Sequence, residues 1–227
     1  MTAHYSDPMP EAPDTPAALD ATAPSRTSRE RAKARRRADL LTAAARLFAA
    51  EGFDAARLED IGAAAGVSGP AVYRHFAGKA AVLAEILETA SSGLLEGGHG
   101  AVRDVAPGAE SLRALIAFHA DFAVDNRDVI RVQDRDMSSL PAADRTAIAR
   151  VQRRYIELWA AHLRHLHPGE DHATAVFRAQ AVLGMLNSTP HSVRRTPSDR
   201  SARRQALTSM AWAAASAPLR PAAPVVA

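Results

Sequence analysis

Apolar positions along the chain repeat with a helical period nearly from end to end. Leu40, Leu41, Ala44, Leu47 and Phe48 fall at three- and four-residue intervals, predicting a helix over 29–50 that Gly52 stops. Leu58, Ile61 and Ala65 mark a short second helix over 58–65. Gly66-Val67 reads as a tight turn. Ser68 suits the N-cap of a third helix that tolerates Pro70 in its first turn and runs to about residue 75. A fourth helix starts near Lys79 and turns Val82, Leu83, Ile86, Leu87 and Leu94 inward. Gly97-Gly98-His99-Gly100 and Pro107-Gly108 read as interruptions.

Farther along, Leu112, Leu115, Ile116, His119, Phe122 and Ala123 form one stripe. A segment over 127–137 follows. Pro141 then opens a long helix with Ile148, Val151, Tyr155, Leu158, Trp159, His162 and Leu166 on one face, closed by Pro168-Gly169. Two further helices are expected over 171–188 and 198–217. Strand alternation is convincing nowhere. The pattern predicts an all-α fold of about nine helices, four short ones followed by five longer ones.

The ends differ. Residues 1–28 hold Pro8, Pro10, Pro13, Pro16 and Pro24 and no apolar period, and 218–227 hold Pro218, Pro221 and Pro224. Neither can bury enough surface to offset its ordering, so both are expected to be disordered tails. Between them the pattern divides into a helix-turn-helix domain over 29–79 and a larger helical domain over 80–217.

Composition narrows the function. The 227 residues include no cysteine, which excludes a disulfide framework and a thiolate metal site. No apolar run approaches the ~18 residues of a membrane helix, and the start does not resemble a signal peptide. A cytoplasmic protein without a membrane partner is expected. Net charge is only +3, but it is unevenly placed: residues 26–79 carry eleven Lys/Arg against six Asp/Glu, while residues 1–25 carry four acids and no base. This is the footprint of a nucleic-acid partner, or else a solvated helix face.

The chemistry concentrates in residues 57–79, RLEDIGAAAGVSGPAVYRHFAGK. Val72 and Phe76 lie four apart and can pack onto Ile61 and Phe48. That leaves Gly69, Pro70, Tyr73 and Arg74 outward, with Ala71 and His75 at the flanks. A short helix tethered on one face and bare at its N-terminal end can enter a major groove. Small Gly69 and Ala71 permit close approach. Arg74 is the candidate for bidentate contact with guanine, and Tyr73 and His75 for phosphate or sugar. Lys79, at the start of a helix, suits a phosphate. Ser68, Arg57 and Arg36 complete the expected DNA-contacting set. The basic arm from Arg26 to Arg37 would add sequence-independent attraction.

The segment from about Arg36 to Leu87 resembles the DNA-binding domain of the TetR family of regulators. The matching residues are Leu47-Phe48, Gly52-Phe53, Ile61, Ala65-Gly66-Val67-Ser68, Tyr73, His75-Phe76 and Lys79. It departs from the family at Arg57, where a capping Thr or Ser is usual, at Gly78 in place of Ser or Asn, and at Ala80 in place of Glu. The resemblance implies a homodimer on a palindromic operator, with reading helices about 34–36 Å apart. It also implies that the last two helices pair with their twins in a four-helix bundle. Ala179, Ala181, Gly184, Ala206, Ala211 and Ala214 would let them approach closely.

The resemblance further implies a ligand pocket in the larger domain. Phe118, Phe122, Tyr155, Trp159 and Phe177 are its apolar candidates, ordinary core being the alternative reading. Residues 130–136 (IRVQDRD) and 186–191 (LNSTPH) resemble an actinobacterial subgroup that controls fatty-acid synthesis and responds to long-chain acyl-CoA. They bring Gln133 and Asn187 into the candidate set, and imply an elongated apolar tunnel with arginines near its mouth. A solvated helix face is the plainer reading of 130–136. His162 and His165 share a face but His167 does not, and no carboxylate is suitably spaced, so no metal is expected. No cofactor is expected beyond the small-molecule effector. An enzyme finds no support: no nucleophile motif, no phosphate-cradling glycine loop and no acid pair are present. A DNA-binding protein that ignores ligands remains the rival reading.

Overall fold

The structure, a computed structural model, describes residues 26–191 and 199–219. The chain divides into two compact units, Met1–Arg36 and Arg37–Ala227. Both sequence-predicted tails lie outside the described residues for most of their length.

Among the described residues there are nine α-helices and no strand. They are α1 (Arg26–Glu51), α2 (Leu58–Ala64), α3 (Gly69–Tyr73), α4 (Lys79–Val102), α5 (Ala109–Asp125), α6 (Arg127–Asp136), α7 (Ala142–Leu166), α8 (His172–Leu186) and α9 (Arg200–Ser216). Single 3₁₀ turns at Met137–Ser139 and Thr189–His191 follow α6 and α8. The first four helices are not uniformly short, since α1 and α4 have 26 and 24 residues.

The expected break at Gly97-Gly98-His99-Gly100 does not exist: α4 runs straight through it. A Cβ on Gly98 would stand 2.7 Å from Cε2 of Tyr155 on α7, and one on Gly97 would collide with the Phe118 ring of α5. The missing side chains thus let α4 pack tightly against two neighbours. The intrinsic cost of helical glycine, about 1 kcal/mol each, is offset by that contact.

Two apolar clusters fill the interior. One gathers Leu40, Phe48, Ile61, Val72, Phe76, Leu83 and Leu87 with Val132, Leu140 and Ile148. The other gathers Leu112, Leu115, Trp159, Leu163, Val182, Leu186 and Ala211. α4 and α7 pass through both and pack along each other. The last two helices begin on conventional caps: the Asp171 side chain accepts the Thr174 N–H at 2.7 Å, and Asp199 accepts from Ser201 and Ala202.

Candidate nucleic-acid interface and ligand cavities

The frame of the reading helix comes first. Gly66 holds a left-handed φ of +69°, closing the turn between α2 and α3, a conformation that favours glycine. Val72 and Phe76 are buried against Ile61 and Phe48, which fixes the inner face of α3. The outer face carries Pro70, Tyr73 and Arg74 exposed, with Gly69 and Ala71 half-buried beside them. Tyr73 is 54 % exposed, a large ring left in solvent on a five-residue helix. Arg74, at the end of that helix, makes no hydrogen bond or ion pair through its side chain to a described residue. α3 stops two residues short of the predicted His75, which is half-buried with its ring near that of Phe76.

Arg57 and Gly78 leave their helices without a side-chain cap, as the sequence suggests, and Ser68, expected as a cap, does not bond through its side chain either. Arg57 occupies the N-cap of α2 in extended conformation, without a side-chain cap bond, and is exposed. Ser68 caps α3 through its backbone alone, so its hydroxyl is not spent on the cap. Arg57, Tyr73 and Lys79 line one open hollow of about 610 Å³ together with Glu59. The Lys79 ammonium donates to the Asp54 carbonyl at 2.9 Å and lies 4.6 Å from the centre of the Phe53 ring. One of its three N–H bonds therefore holds the α1–α2 turn, and the others stay available to an anion. Arg36 is exposed on α1, within the other unit.

One basic residue has a different role from the one expected. Arg37, assigned by sequence to a solvated arm, forms a bidentate pair with Glu85 of α4, donates to the His75 carbonyl and stacks 4.3 Å over Phe76. Its charge is spent on holding α1, α4 and the end of the reading helix together.

Two distinct spaces open among α1 and α4 to α8. A cleft of about 530 Å³ between α1, α4, α5 and α6 has an apolar wall that includes Ile86, Phe118, Phe122 and Val129. Arg46, Asp125 and Asp128 also line it. A smaller chamber of about 210 Å³ is lined from α4, α5, α6, α7 and α8, and it contains Gln133, Tyr155 and Asn187. The sequence candidates therefore separate: Phe118 and Phe122 line the first, and Gln133, Tyr155 and Asn187 the second. Trp159 is fully buried in the core, and Phe177 is 68 % exposed on α8, lining neither.

The residue that sequence reasoning underused is His119. It is buried, sits between Tyr155 Oη at 3.2 Å and Asn187 Oδ1 at 3.0 Å, and stacks on the Tyr155 ring. Burial lowers its pKa to about 4, opposed in part by the Asn187 bond, so it is neutral at pH 7. Of the other histidines, His162 bonds Ser111 at 2.8 Å and His167 bonds the Ala215 carbonyl at 2.8 Å. No group of three metal-ligating side chains is found among the described residues. No described helix is long and apolar enough to cross a membrane.

Comparison with known proteins places these features. Residues 40–86 match the family model described as bacterial regulatory proteins, tetR family, and residues 105–191 match that of a tetracyclin repressor-like C-terminal domain. The HTH-type transcriptional activator FasR of Mycolicibacterium smegmatis is 34 % identical over 87 residues, 38 % of this chain and 40 % of that protein. The HTH-type transcriptional repressor KstR2 of Rhodococcus jostii is 32 % identical over 132 residues, 56 % of this chain and 63 % of that protein. The matches thus span less than two thirds of either relative. Among solved structures, PfmR from Thermus thermophilus superposes with a TM-score of 0.67 at 24 % identity, covering 88 % of this chain and all of that one. AibR, solved with isovaleryl coenzyme A and operator DNA, gives 0.65 at 18 % identity, over 77 % and 97 % of the two chains. FadR from Bacillus subtilis, solved with stearoyl-CoA, gives 0.63 at 15 %, over 78 % and 98 %. At these identities the structural likenesses show the fold alone.

Proposed function

We propose, since the chain belongs to the tetR family of bacterial regulatory proteins, that it binds operator DNA as a homodimer in the cytoplasm and is controlled by a small, partly apolar effector. The observation that carries the DNA reading is the exposed Tyr73–Arg74 face of α3 on a frame anchored by Phe48, Ile61, Val72 and Phe76. A core hairpin has no reason to leave those side chains in water. Arg74 reads a base edge. Arg36, Arg57, Ser68, Tyr73, His75 and Lys79 contact phosphate or sugar, while Gly69, Pro70 and Ala71 form the close-approach surface.

A second copy is supported by unpartnered apolar faces on α8 and α9. Phe177, Ala181 and Gly184 are exposed along one, and Ala206, Met210 and Ala213 along the other. The effector reading is supported by the 530 Å³ cleft with its phenylalanine wall. Acyl-CoA is the class carried by two neighbours of the same fold.

Operator selection followed by fluorescence anisotropy tests the interface. Arg74→Ala should cost about 1–3 kcal/mol and relax one operator position. Lys79→Ala should weaken all sequences alike and lower the salt slope by about one charge. An unchanged preferred operator in Arg74→Ala refutes its role as base reader. Release of operator by acyl-CoAs of graded length tests the effector class, and operator affinity indifferent to every length favours the ligand-independent alternative.

A further inference from the structure

The smaller chamber has a chemistry of its own. Its polar lining comprises Ser91, His119, Gln133, Gln152, Tyr155 and Asn187, with Gln180 at the exposed side of α8. None is an Asp, Glu, Lys or Arg. Leu94, Ile156 and Leu183 supply an apolar wall. Phe122, which lines the larger cleft, packs its ring 5.9 Å from that of His119.

The lining is partly self-satisfied. His119 engages Tyr155 and Asn187 through its two nitrogens. Gln152 Nε2 donates to Gln133 Oε1 at 3.1 Å and lies 3.4 Å from Ser91 Oγ. Apart from Gln180 at the exposed side, the remaining amide groups are Gln133 Nε2, Asn187 Nδ2 and Gln152 Oε1. None bonds a described residue, and none is among the sealed atoms that lack a partner. Two amino groups and one carbonyl oxygen are thus left over, able to donate to a ligand carbonyl and to accept from a ligand N–H, as an amide requires. Cavities of ~150 Å³ accept benzene, so 210 Å³ has room for a group of about eight heavy atoms.

We propose that this chamber binds an uncharged hydrogen-bonding group, an amide, ester, thioester or hydroxyl on a short alkyl body, and refuses the corresponding carboxylate. The inference rests on the effector-controlled reading above and names the chemistry of that ligand. A carboxylate would enter without a cation to meet it, and the two free amino groups, enough to serve a carbonyl, would have to replace the whole hydration shell of an anion. The imidazole does not help, because His119 is neutral at pH 7.

Three probes of matched size decide it: hexanamide, methyl pentanoate and hexanoate, titrated into the full-length protein at pH 7.5 and followed by ligand-observed NMR for affinity and by protein methyl spectra for location. Hexanamide should bind at least tenfold more tightly than hexanoate, with methyl pentanoate between them. In the wild type, the methyl resonances of Leu94, Ile156 and Leu183 should shift on adding hexanamide, which locates the site without any substitution. In Gln133→Leu/Gln152→Leu, with its fold checked by circular dichroism, the preference should disappear. Equal binding of hexanoate, a preference that survives in the variant, shifts confined to other methyl groups, or no binding of any probe overturns the proposal. Operator release is measured separately: hexanamide that binds with the expected preference and leaves DNA bound upholds the chamber's chemistry and refutes its regulatory use.

Discussion

Replacing Arg178 with methionine isolates a buried charge whose partners are all visible. Arg178 lies on α8, 4 % exposed, and pairs with Glu170, itself 14 % exposed. Its Nε donates to Glu170 Oε2 at 3.2 Å, and its Nη1 donates to the carbonyls of Ala214 at 3.1 Å and Ala217 at 2.7 Å, at the end of α9. Methionine keeps most of the volume but removes every donor. Glu170 is then left without its counterion, and two carbonyls lose their partner. Breaking one side of a buried pair costs about 3–5 kcal/mol, largely the desolvation of the stranded partner. Glu170→Met on the same background should therefore recover about half or more of the loss. The cycle is measured by urea unfolding monitored by far-ultraviolet circular dichroism, at several protein concentrations because self-association contributes. A cost below about 1 kcal/mol for Arg178→Met would refute the reasoning. So would a double variant no more stable than the single one, since the stranded carboxylate would not then be the source.

Two further expectations bear on the helical domain. Gly98→Val should destabilise by about 1–3 kcal/mol through overpacking, because the new side chain meets Tyr155 and Leu158, whereas Gly100→Ala, with open space around it, should be neutral or stabilising; equal melting temperatures for the two would contradict the packing of α4 on α7. Acidification should weaken the fold through its histidines. His119 falls to about 4 when folded, so the unfolded chain binds more protons below the ordinary 6.5; stability is full above 6.5, drops by about 2 kcal/mol by pH 5, and the loss is complete once pH falls below about 4. His162, lowered chiefly by burial and also by His165 and His99, acts in the same direction. His119→Gln should flatten the stability profile between pH 6.5 and 5, and an unchanged slope there would assign it to other groups.

The reading segment was legible because its signal is local. Ile61, Gly66, Val72 and Phe76 sit within sixteen residues, and periodicity plus one turn residue place them correctly. What escaped is non-local. Arg37 reads as one more base in a basic arm, because its partner Glu85 lies 48 positions away. Gly97 and Gly98 read as punctuation, because the rings of Phe118 and Tyr155 that require them belong to other helices. His119 was placed correctly on the inward stripe of α5, but only tertiary packing reveals that Tyr155 and Asn187 meet it from two further elements. Phe177 misleads for the opposite reason: an aromatic residue in an apolar stretch reads as pocket lining, and it faces solvent.

The arginines of α6 carry a consequence for how such a chain diversifies. Arg127 donates to the Thr189 carbonyl and Arg131 to the Pro190 carbonyl, each at 2.9 Å, while Arg135 donates to the carbonyl of Phe48 near the end of α1. All three acceptors are main-chain oxygens, which every amino acid supplies. Of the three, only the Arg135 bond crosses from the larger helical domain to the helix-turn-helix domain, and the bond itself places no demand on the side chain at position 48; the other two brace α6 against the turn after α8. Substitutions on the exposed outer face of α3 leave the Arg135 bond untouched. A helix-turn-helix domain that ends its first helix at the same place would offer Arg135 the same oxygen, so the side-chain fitting that an exchange requires falls on Val132, Leu140 and Ile148, which pack into one cluster with Leu40 and Phe48.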